Sequence, residues 1–286
     1  MLITSFRNPR VKYLRSLRLR KYRQREGRFL VEGIRIVEEA LERGAPLETL
    51  VYAPDLLVSE RAQALVDQVG PDQRLALSGE VFASLSDRDQ PQGVAAVIDV
   101  EKRSLAELPL AQDLLVVVAH QLRDPGNLGS LIRTADSAGA TGLVVVEPSV
   151  DLYDPQTVRA TMGSLFALPI VQLEDEGVLD PWYRQVRDSG VPLVVVATSA
   201  RGPQLYYNVD YRQPLVLLVG SERHGLPEQM RRQADAVVRL PMAGSATSLN
   251  VSAAAAALIY EVVRQRMITS TEAEAEDRQS TLDKEA

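Results

Sequence analysis

The most informative segment of the sequence for the fold is RLPMAGSATSLNVSAAAAALIYEVVRQR, from Arg239 to Arg266. Its pattern predicts a short strand that stops at Pro241, a loop of small and polar residues from Met242 to Ser248, and then a long helix. Ligands of α/β sheets bind in loops that follow the carboxyl ends of strands. An ordinary strand–loop–helix connection would explain this segment equally well. Loops elsewhere in the chain must therefore decide between a ligand-binding loop and an ordinary connection.

Six apolar runs in the second half of the chain predict an α/β sheet. Most are continuous in valine and leucine, as buried parallel strands are, and segments of helical character separate them. This alternation predicts a doubly wound parallel sheet in a domain that spans residues 106–269. The runs are 114–119, 143–146, 168–173, 193–197, 215–219 and 236–240.

The rest of the chain divides at a charged, proline-containing segment, residues 101–112. Residues 1–105 alternate short strands and helices, which predicts a small N-terminal α/β module. Residues 270–286 are rich in Ser, Thr, Glu and Asp, and we expect a disordered acidic tail there. The domain limits are therefore predicted as 1–105, 106–269 and 270–286.

The composition excludes several classes of protein. The 286 residues include no cysteine and two histidines, which argues against disulfides, thiolate chemistry and a histidine-rich metal site. No apolar run approaches the roughly 20 residues of a membrane span, and the N-terminus lacks the apolar core of a signal peptide. Neither GxGxxG nor GxxxxGK occurs, so the usual dinucleotide and Walker sites are disfavoured. We expect a soluble cytoplasmic protein with no metal and no membrane partner.

A net charge of -6 conceals a strongly basic N-terminus. Residues 1–35 carry eleven basic side chains against two acidic ones, a net charge of +9. Asn8 and Pro9 predict the start of a helix that continues to Gly27. A solvated amphipathic helix is the simple interpretation, but this density of cations favours contact with RNA phosphates. The predicted RNA-binding residues are Arg7, Arg10, Lys12, Arg15, Arg18 and Lys21.

Three loops at predicted strand ends carry the candidate functional residues. The first, HQLRDPGNLGSLIRTADSAGA, contains Asn127 and Arg133; the second, GSERHGLP, contains Glu222; the third contributes Ser248 and Asn250. Each of these residues also has a purely structural explanation. The asparagines and the serine could cap helices, Arg133 could lie on the surface, and Glu222 could be an exposed loop acid. We assign no role to His224.

Taken together, the segments NLGSLIRTADSAGA, LVGSERHGLP and LPMAGSATSLNVSAAAAA resemble the three motifs of the SpoU/TrmH family of RNA ribose 2′-O-methyltransferases. The resemblance covers roughly residues 114–267. The N-terminal segments FLVEGIRIVEEAL and QGVAAVI resemble the substrate-binding domain that many of these enzymes carry. One departure is Ser221-Glu222-Arg223, where the family often has Asn-Glu-Gly, although Glu222 itself is retained.

The resemblance implies that the protein transfers a methyl group from S-adenosyl-L-methionine to a ribose 2′-hydroxyl, most simply of ribosomal RNA. It implies a homodimer with the site near the subunit interface, and a parallel sheet whose C-terminal chain forms a deep trefoil knot. By the same resemblance, the catalytic residues are Arg133, Asn127, Glu222, Ser248 and Asn250. The cofactor-binding residues are Gly220, Leu240, Leu249, Thr198 and Met242.

Other functions remain open on the sequence. Transfer RNA could be the substrate of the same chemistry, or the chain could be an RNA-binding or ribosome-assembly protein that has lost catalysis. Within the leading hypothesis, Arg133 is a poor base because guanidinium stays protonated, so we expect it to hold a phosphate and polarise the hydroxyl. Glu222 would orient Arg133 or accept the proton, while Asn127 and Ser248 would set the geometry.

Overall fold

The computed structural model describes the backbone of residues 2–285 and the side chains of residues 2–268. The chain forms two compact units. The first contains Met1–Lys102 together with Val150–Ala167, and the second contains Arg103–Ser149 together with Leu168–Ala286. The first unit thus includes a segment that lies within the predicted limits 106–269; the three predicted domain limits themselves stay a prediction.

The helices and strands alternate along most of the chain. The helices are α1 Pro9–Ser16, α2 Arg20–Glu26, α3 Ile34–Glu42, α4 Glu60–Gln68, α5 Gly79–Ala83, α6 Pro125–Ser137, α7 Pro155–Thr161, α8 Ser164–Ala167, α9 Leu179–Asp188, α10 Glu228–Gln233 and α11 Val251–Glu285. The strands are β1 Arg28–Glu32, β2 Leu47–Tyr52, β3 Arg74–Ala76, β4 Val94–Asp99, β5 Leu115–His120, β6 Gly142–Val146, β7 Ile170–Leu173, β8 Val194–Thr198, β9 Gln204–Leu205, β10 Leu215–Val219 and β11 Ala236–Arg239.

The first unit is built on a four-stranded sheet in the order β1-β4-β2-β3. Residues from α1 and α5 bury one face of this sheet, and residues from α3, α4 and α7 bury the other. The segment Val150–Ala167 joins the second of these cores through aromatic contacts. The Phe29 ring lies 4.6 Å from that of Tyr153 and 6.3 Å from that of Phe166.

The predicted N-terminal helix begins as expected but is broken in the middle. Asn8 caps α1 by accepting a hydrogen bond from the Arg10 N–H at 2.9 Å, and Gly27 ends α2 with a left-handed φ of 64°. The prediction of one continuous helix was wrong, because the backbone at Leu19 is extended (φ -100°, ψ 127°). Arg23 stabilises the break by donating to the carbonyl oxygens of Leu17 (2.9 Å) and Arg18 (2.7 Å).

The second unit contains a seven-stranded sheet in the order β7-β6-β5-β10-β8-β11-β9, and its paired strands are all parallel. The predicted α/β class and the six predicted strands are confirmed, with ends shifted by at most two residues. The two-residue strand β9 was not predicted, since it has no apolar run of its own. Residues of α9 and α10 pack on one face of the sheet.

The helices α6 and α11 pack against each other. The middle of α11 is tied to the loops that precede β5 and β10. There Arg266 donates to the carbonyl oxygens of Leu114 (2.9 Å) and Gln213 (2.9 Å), and Gln265 accepts from the N–H of Tyr211 (2.9 Å). The predicted tail, 270–286, lies outside the residues whose side chains are described, so its disorder stays a prediction. The trefoil knot also stays a prediction.

Candidate active site

The predicted site loops follow neighbouring strands of one parallel sheet. The strands β5, β10, β8 and β11 are consecutive in the sheet order. The connections that leave their carboxyl ends begin at Gln121, Gly220, Ser199 and Leu240. Adjacent strands in a sheet lie about 4.8 Å apart. The fold therefore gathers loops that are up to 120 residues apart in the sequence at one edge of the sheet.

Three of the predicted catalytic residues form one hydrogen-bonded chain across these loops. The Asn250 side-chain N–H donates to Asn127 Oδ1 at 2.8 Å, and the Asn127 side-chain N–H donates to Glu222 Oε1 at 2.8 Å. Each amide thus has its oxygen facing one neighbour and its nitrogen facing the next. The chain of donors ends on the Glu222 carboxylate, which is exposed.

The helix caps explain why the two asparagines are held in place. Asn250 Oδ1 accepts hydrogen bonds from the backbone N–H (2.9 Å) and the hydroxyl (2.7 Å) of Ser252, as an asparagine at the start of a helix does. The possibility that Asn127 caps α6 was wrong. Asp124 is the cap, and its Oδ1 accepts from the Asn127 N–H at 2.8 Å. Asn127 lies in the first turn instead, with its side chain available for Glu222.

The Glu222 loop has a tightly packed base. A Cβ on Gly220 would lie 2.3 Å from the carbonyl carbon of Gly225, so no larger residue fits there. Gly225 has a left-handed φ of 65°, and its N–H donates to the Ser221 carbonyl at 2.9 Å. Glu222 and its neighbours line an open cleft of about 680 Å³. The lining residues are Gln121, Arg123, Asp124, Asn127, Ser221, Glu222, Arg223, His224 and Asn250.

The loop after β5 has an unusual backbone at the edge of the cleft. Gln121 adopts a φ of 54°, which is uncommon for a residue with a side chain and costs of order 1–3 kcal/mol. Its neighbour His120 is buried and has no hydrogen-bond partner at either ring nitrogen among the described residues. Burial lowers the pKa of His120, and Glu176 opposes that shift.

The predicted cofactor-binding residues fall into two groups. Thr198, Gly220 and Leu240 lie at or just beyond the carboxyl ends of β8, β10 and β11, and the Thr198 hydroxyl donates to the Leu218 carbonyl at 2.9 Å. Met242 and Leu249 lie in the loop 241–250, whose residues are all exposed. Apart from the Asn250 carbonyl, no backbone group of that loop has a backbone hydrogen bond to a described residue. Exposed apolar side chains beside available backbone groups suit a nucleoside.

Two predicted catalytic residues stand outside the hydrogen-bonded chain. Arg133 is exposed on α6, six residues after Asn127, so it points roughly 120° around the helix from it. Ser248 is exposed in the loop before α11. Neither has a hydrogen bond or an ion pair among the side chains that the structure describes. Their catalytic roles stay a prediction.

Comparison with known proteins identifies the chain. Residues 114–260 match the SpoU rRNA Methylase family, and residues 8–96 match the MRM3-like substrate binding domain. The chain belongs to the SpoU rRNA methylase family. The matched region includes the Asn127–Glu222–Asn250 chain and the four strand-end loops described above.

Several relatives in this family are similar over most of their length. One is a 23S rRNA (uridine(2479)-2′-O)-methyltransferase of Streptomyces viridochromogenes, 39% identical over 87% of this chain and 86% of that protein. Another is RlmP of Bacillus subtilis, a 23S rRNA (guanosine(2553)-2′-O)-methyltransferase, 31% identical over 91% and 98% of the two chains. A crystal structure of AviRb from S. viridochromogenes with AdoMet has a TM-score of 0.86 at 38% identity, covering 91% of this chain and 99% of that one.

The predicted RNA-binding residues of the first unit differ in their surroundings. Arg18 forms an ion pair with Asp87, and Arg15 donates to the Ser84 hydroxyl at 3.0 Å. The Lys21 ammonium lies 4.9 Å from the centre of the Tyr22 ring. The side chains of the remaining three are exposed and form no hydrogen bond or ion pair with a described residue: Arg7, Arg10 and Lys12.

Among the described residues there is no cluster of acids and histidines that could hold a metal ion, and no helix has the length and apolarity needed to cross a membrane.

Proposed function

We propose that the protein transfers a methyl group from S-adenosyl-L-methionine to a ribose 2′-hydroxyl of ribosomal RNA. The observation that carries this proposal is the hydrogen-bonded chain from Asn250 through Asn127 to Glu222, which ends on an exposed carboxylate in an open cleft. Family membership and the printed activities of the relatives support the same reaction.

The cofactor supplies an electrophilic methyl group on a sulfonium when it is bound. The backbone of Gly220, Leu240 and Leu249 would hold its adenosine, with Thr198 and Met242 beside them. The exposed apolar side chains and the available backbone groups of loop 241–250 fit such a nucleoside.

In the proposed reaction, Glu222 would accept the hydroxyl proton. A ribose hydroxyl is a weak acid, so an acceptor within hydrogen-bond reach helps it to attack. Oε1 of Glu222 is occupied by the Asn127 amide, whereas Oε2 has no hydrogen bond to a described residue. Asn127 thereby fixes the rotation of the carboxylate and leaves its second oxygen for the substrate. Such positioning is itself a large part of catalysis.

Arg133 would hold the phosphate next to the target ribose and polarise the hydroxyl. Its guanidinium can donate two parallel hydrogen bonds to a phosphate, which a lysine cannot do. Because Arg133 points away from Asn127 on its own helix, we propose that it works at the cleft of a second copy of the chain in a homodimer.

The surface of α11 supports a homodimer. From Ala253 to Met267, its exposed residues recur at alternating spacings of four and three, which places them on one stripe of the helix, and Ile268 is exposed beside the last of them. The stripe contains Ala253, Ala257, Tyr260, Arg264 and Met267, and Tyr260 and Met267 are 51% and 65% exposed. Exposed apolar side chains that lie close together, as Tyr260, Met267 and Ile268 do, mark interaction sites on a protein surface. A second copy with the same stripe is the simplest partner.

Ribosomal RNA is favoured over transfer RNA by the relatives, since several are named as 23S rRNA methyltransferases. The match to a substrate-binding domain and the exposed cations Arg7, Arg10 and Lys12 suit RNA contact by the first unit. With a ribosomal RNA substrate, the proposed location of the protein is the cytoplasm.

Transfer of tritiated methyl groups tests the proposed reaction. The purified protein is incubated with labelled S-adenosyl-L-methionine and either 23S rRNA or transfer RNA that lacks modifications. Digestion to nucleosides should give label in a 2′-O-methylnucleoside from 23S rRNA. Label in a methylated base, or label in transfer RNA alone, would contradict the proposal.

Mixed dimers test whether Arg133 acts across the interface. Subunits that carry Arg133→Gln and subunits that carry Glu222→Gln are purified together through two different tags. If each site combines Glu222 of one copy with Arg133 of the other, one of the two sites in the mixed dimer is intact, and activity approaches half that of wild type. Sites confined to one chain would leave the mixed dimer as inactive as either parent.

A further inference from the structure

The arginines of the second unit divide sharply into paired and unpaired groups. Most of those with described side chains are neutralised by an acid or bound to carbonyl oxygens. The acid-paired ones are Arg184, Arg187, Arg212, Arg231, Arg232 and Arg264. Arg239 and Arg266 instead donate to backbone carbonyls. Only four, Arg123, Arg133, Arg201 and Arg223, are exposed with no hydrogen bond or ion pair from the side chain to a described residue.

Three of these four follow consecutive strands. Arg123 follows β5, Arg223 follows β10 and Arg201 follows β8, and β5-β10-β8 is the order of the strands in the sheet. Since β10 pairs in parallel with both neighbours, the three loops leave the same edge. We call Arg123, Arg223 and Arg201 the arginine row. At about 4.8 Å per strand, its outer members stand on strands roughly 10 Å apart.

The loops that carry the arginine row are anchored at their bases; ahead of Arg123, the Gln121 N–H donates to the Val146 carbonyl at 3.1 Å. Arg201 occupies a turn closed by the Gly202 N–H, which donates to the Ser199 carbonyl at 3.1 Å. A Cβ on Gly202 would lie 2.7 Å from the Val238 carbonyl carbon, so this turn rests directly on β11. Arg223 lies inside the narrow loop closed by Ser221 and Gly225.

The nearby acids are used by other partners. Asp124 accepts from the Asn127 N–H, and Glu222 accepts from the Asn127 amide. Arg123 and Arg223 line the cleft beside these two acids, yet form no ion pair with either. An unneutralised row of guanidiniums on anchored loops is suited to an extended polyanion.

We propose that the arginine row binds consecutive phosphodiesters of the RNA strand that enters the cleft. This inference rests on the proposed function. A cofactor carboxylate could satisfy one guanidinium, but it is too short to engage cations on three adjacent strands. Two members of the row line the same cleft, but the row forms no hydrogen bond with Asn127, Glu222 or Asn250, so it sets RNA affinity and register, whereas those three residues act on the hydroxyl.

Steady-state methyl transfer to a 23S rRNA transcript tests the row. Arg123→Gln, Arg201→Gln and Arg223→Gln should each raise the KM for RNA about threefold to tenfold, with kcat within twofold of wild type. Each should reduce the slope of log KM against log salt concentration by about 0.7 to 0.9, the value for one lost phosphate contact. Arg223→Lys should recover most of the affinity, because an ammonium still neutralises a phosphate.

Two matched controls carry the same charge change at paired arginines. Arg184→Gln and Arg232→Gln remove side chains that are 72% and 78% exposed but paired with Asp180 and Glu228. They should leave KM and the salt slope unchanged. If the row variants and the control variants changed KM and the salt slope equally, the effects would arise from net charge alone, and the proposal would be overturned.

Calorimetric titration with S-adenosyl-L-methionine separates the remaining outcomes. The row variants should bind it as wild type does. A weakened cofactor affinity with an unchanged KM for RNA would assign these arginines to the cofactor and overturn the row. If the wild-type protein methylated no RNA at all, the proposed function would fail; the row would then be judged by the salt dependence of binding to the same transcript.

Discussion

The arginine-rich N-terminus and the strand-end loops of the second unit use positive charge in opposite ways. In the first unit, Arg18, Arg23, Arg25 and Arg28 are each paired with an acid. In the second unit, Arg123 and Arg223 line the cleft, and their side chains form no ion pair with a described residue. A high density of cations in a sequence therefore reflects ion pairs within the fold as much as affinity for RNA.

Buried Arg23 shows the structural use most clearly. Its side chain is 3% exposed, and it binds Asp151, a residue 128 positions later in the sequence, at 2.5 Å. It also closes the break between α1 and α2. From the sequence alone, Arg23 is one of many cations that could bind phosphate. In the structure it instead links the N-terminus to the segment Val150–Ala167 within the first unit.

The largest effect is expected from Glu222→Gln. Losing the proton acceptor should lower kcat for methyl transfer by about 10² to 10⁴-fold, while S-adenosyl-L-methionine still binds. Glu228→Gln is the matched control, since Glu228 follows the same loop but pairs with Arg231 and Arg232. The methyl transfer rate at saturating RNA is the measurement. A Glu222→Gln enzyme within tenfold of wild type would remove Glu222 from the chemistry.

Arg23→Gln and Arg10→Gln test the contrast within the N-terminus itself. Removing Arg23 leaves the partly buried Asp151 carboxylate and the Leu17 and Arg18 carbonyl oxygens without their donor, and should lower the free energy of unfolding by about 3–5 kcal/mol. Arg10 is exposed without a described partner, so its loss should change stability by less than about 0.5 kcal/mol. Urea denaturation measures both. Similar stabilities for the two variants would mean that pairing does not distinguish these arginines.

A smaller effect is expected for the two asparagines. Asn127→Ala should lower kcat by roughly tenfold to a hundredfold, since it removes a hydrogen bond to a carboxylate worth about 1.5–3 kcal/mol. Asn250→Ala should do the same and also weaken the start of α11 by about 1 kcal/mol. Because both act through one chain, the double variant should be little worse in kcat than Asn127→Ala alone. If the losses in kcat of the two single variants multiplied in the double variant, the two asparagines would act independently.

The smallest effect concerns a paired arginine of the second unit. Arg212 holds the pKa of Asp210 at about 2, below its ordinary value. A carboxyl with a depressed pKa stabilises the fold above its unfolded pKa, and this contribution disappears as the pH falls from about 4 towards 2. Asp210→Asn should therefore flatten the loss of thermal stability over that range. If the thermal stability of Asp210→Asn fell with pH as that of the wild type does, the Asp210–Arg212 pair would contribute nothing to stability.

The sequence predicted the sheet of the second unit well because its strands are long apolar runs with one clear period. Leu215–Val219 was predicted without error, whereas Gln204–Leu205 gave no signal, since that strand depends on pairing with β11. The break at Leu19 was missed because the helical pattern of Val11, Leu14 and Leu17 continues into α2. Arg23, which stabilises that break, is buried by a partner far along the chain.

For the candidate site, the sequence motifs predicted Asn127, Glu222 and Asn250, and in the structure hydrogen bonds connect these three side chains. Asp124 was missed as the cap of α6, although Asp before Pro is a common helix start. The arginine row could not be read from the sequence, because Arg123, Arg201 and Arg223 become neighbours only through the strand order. Their lack of partners is likewise a property of the fold.

The central claim is that the loops after β5, β8, β10 and β11 form one site for the methyl donor and the ribose. A crystal structure with S-adenosylhomocysteine tests it most directly. We expect the adenosine to lie against the backbone of Gly220, Leu240 and Leu249, with the sulfur on the side of the cleft that contains Glu222. Binding of the ligand away from these four loops would contradict it.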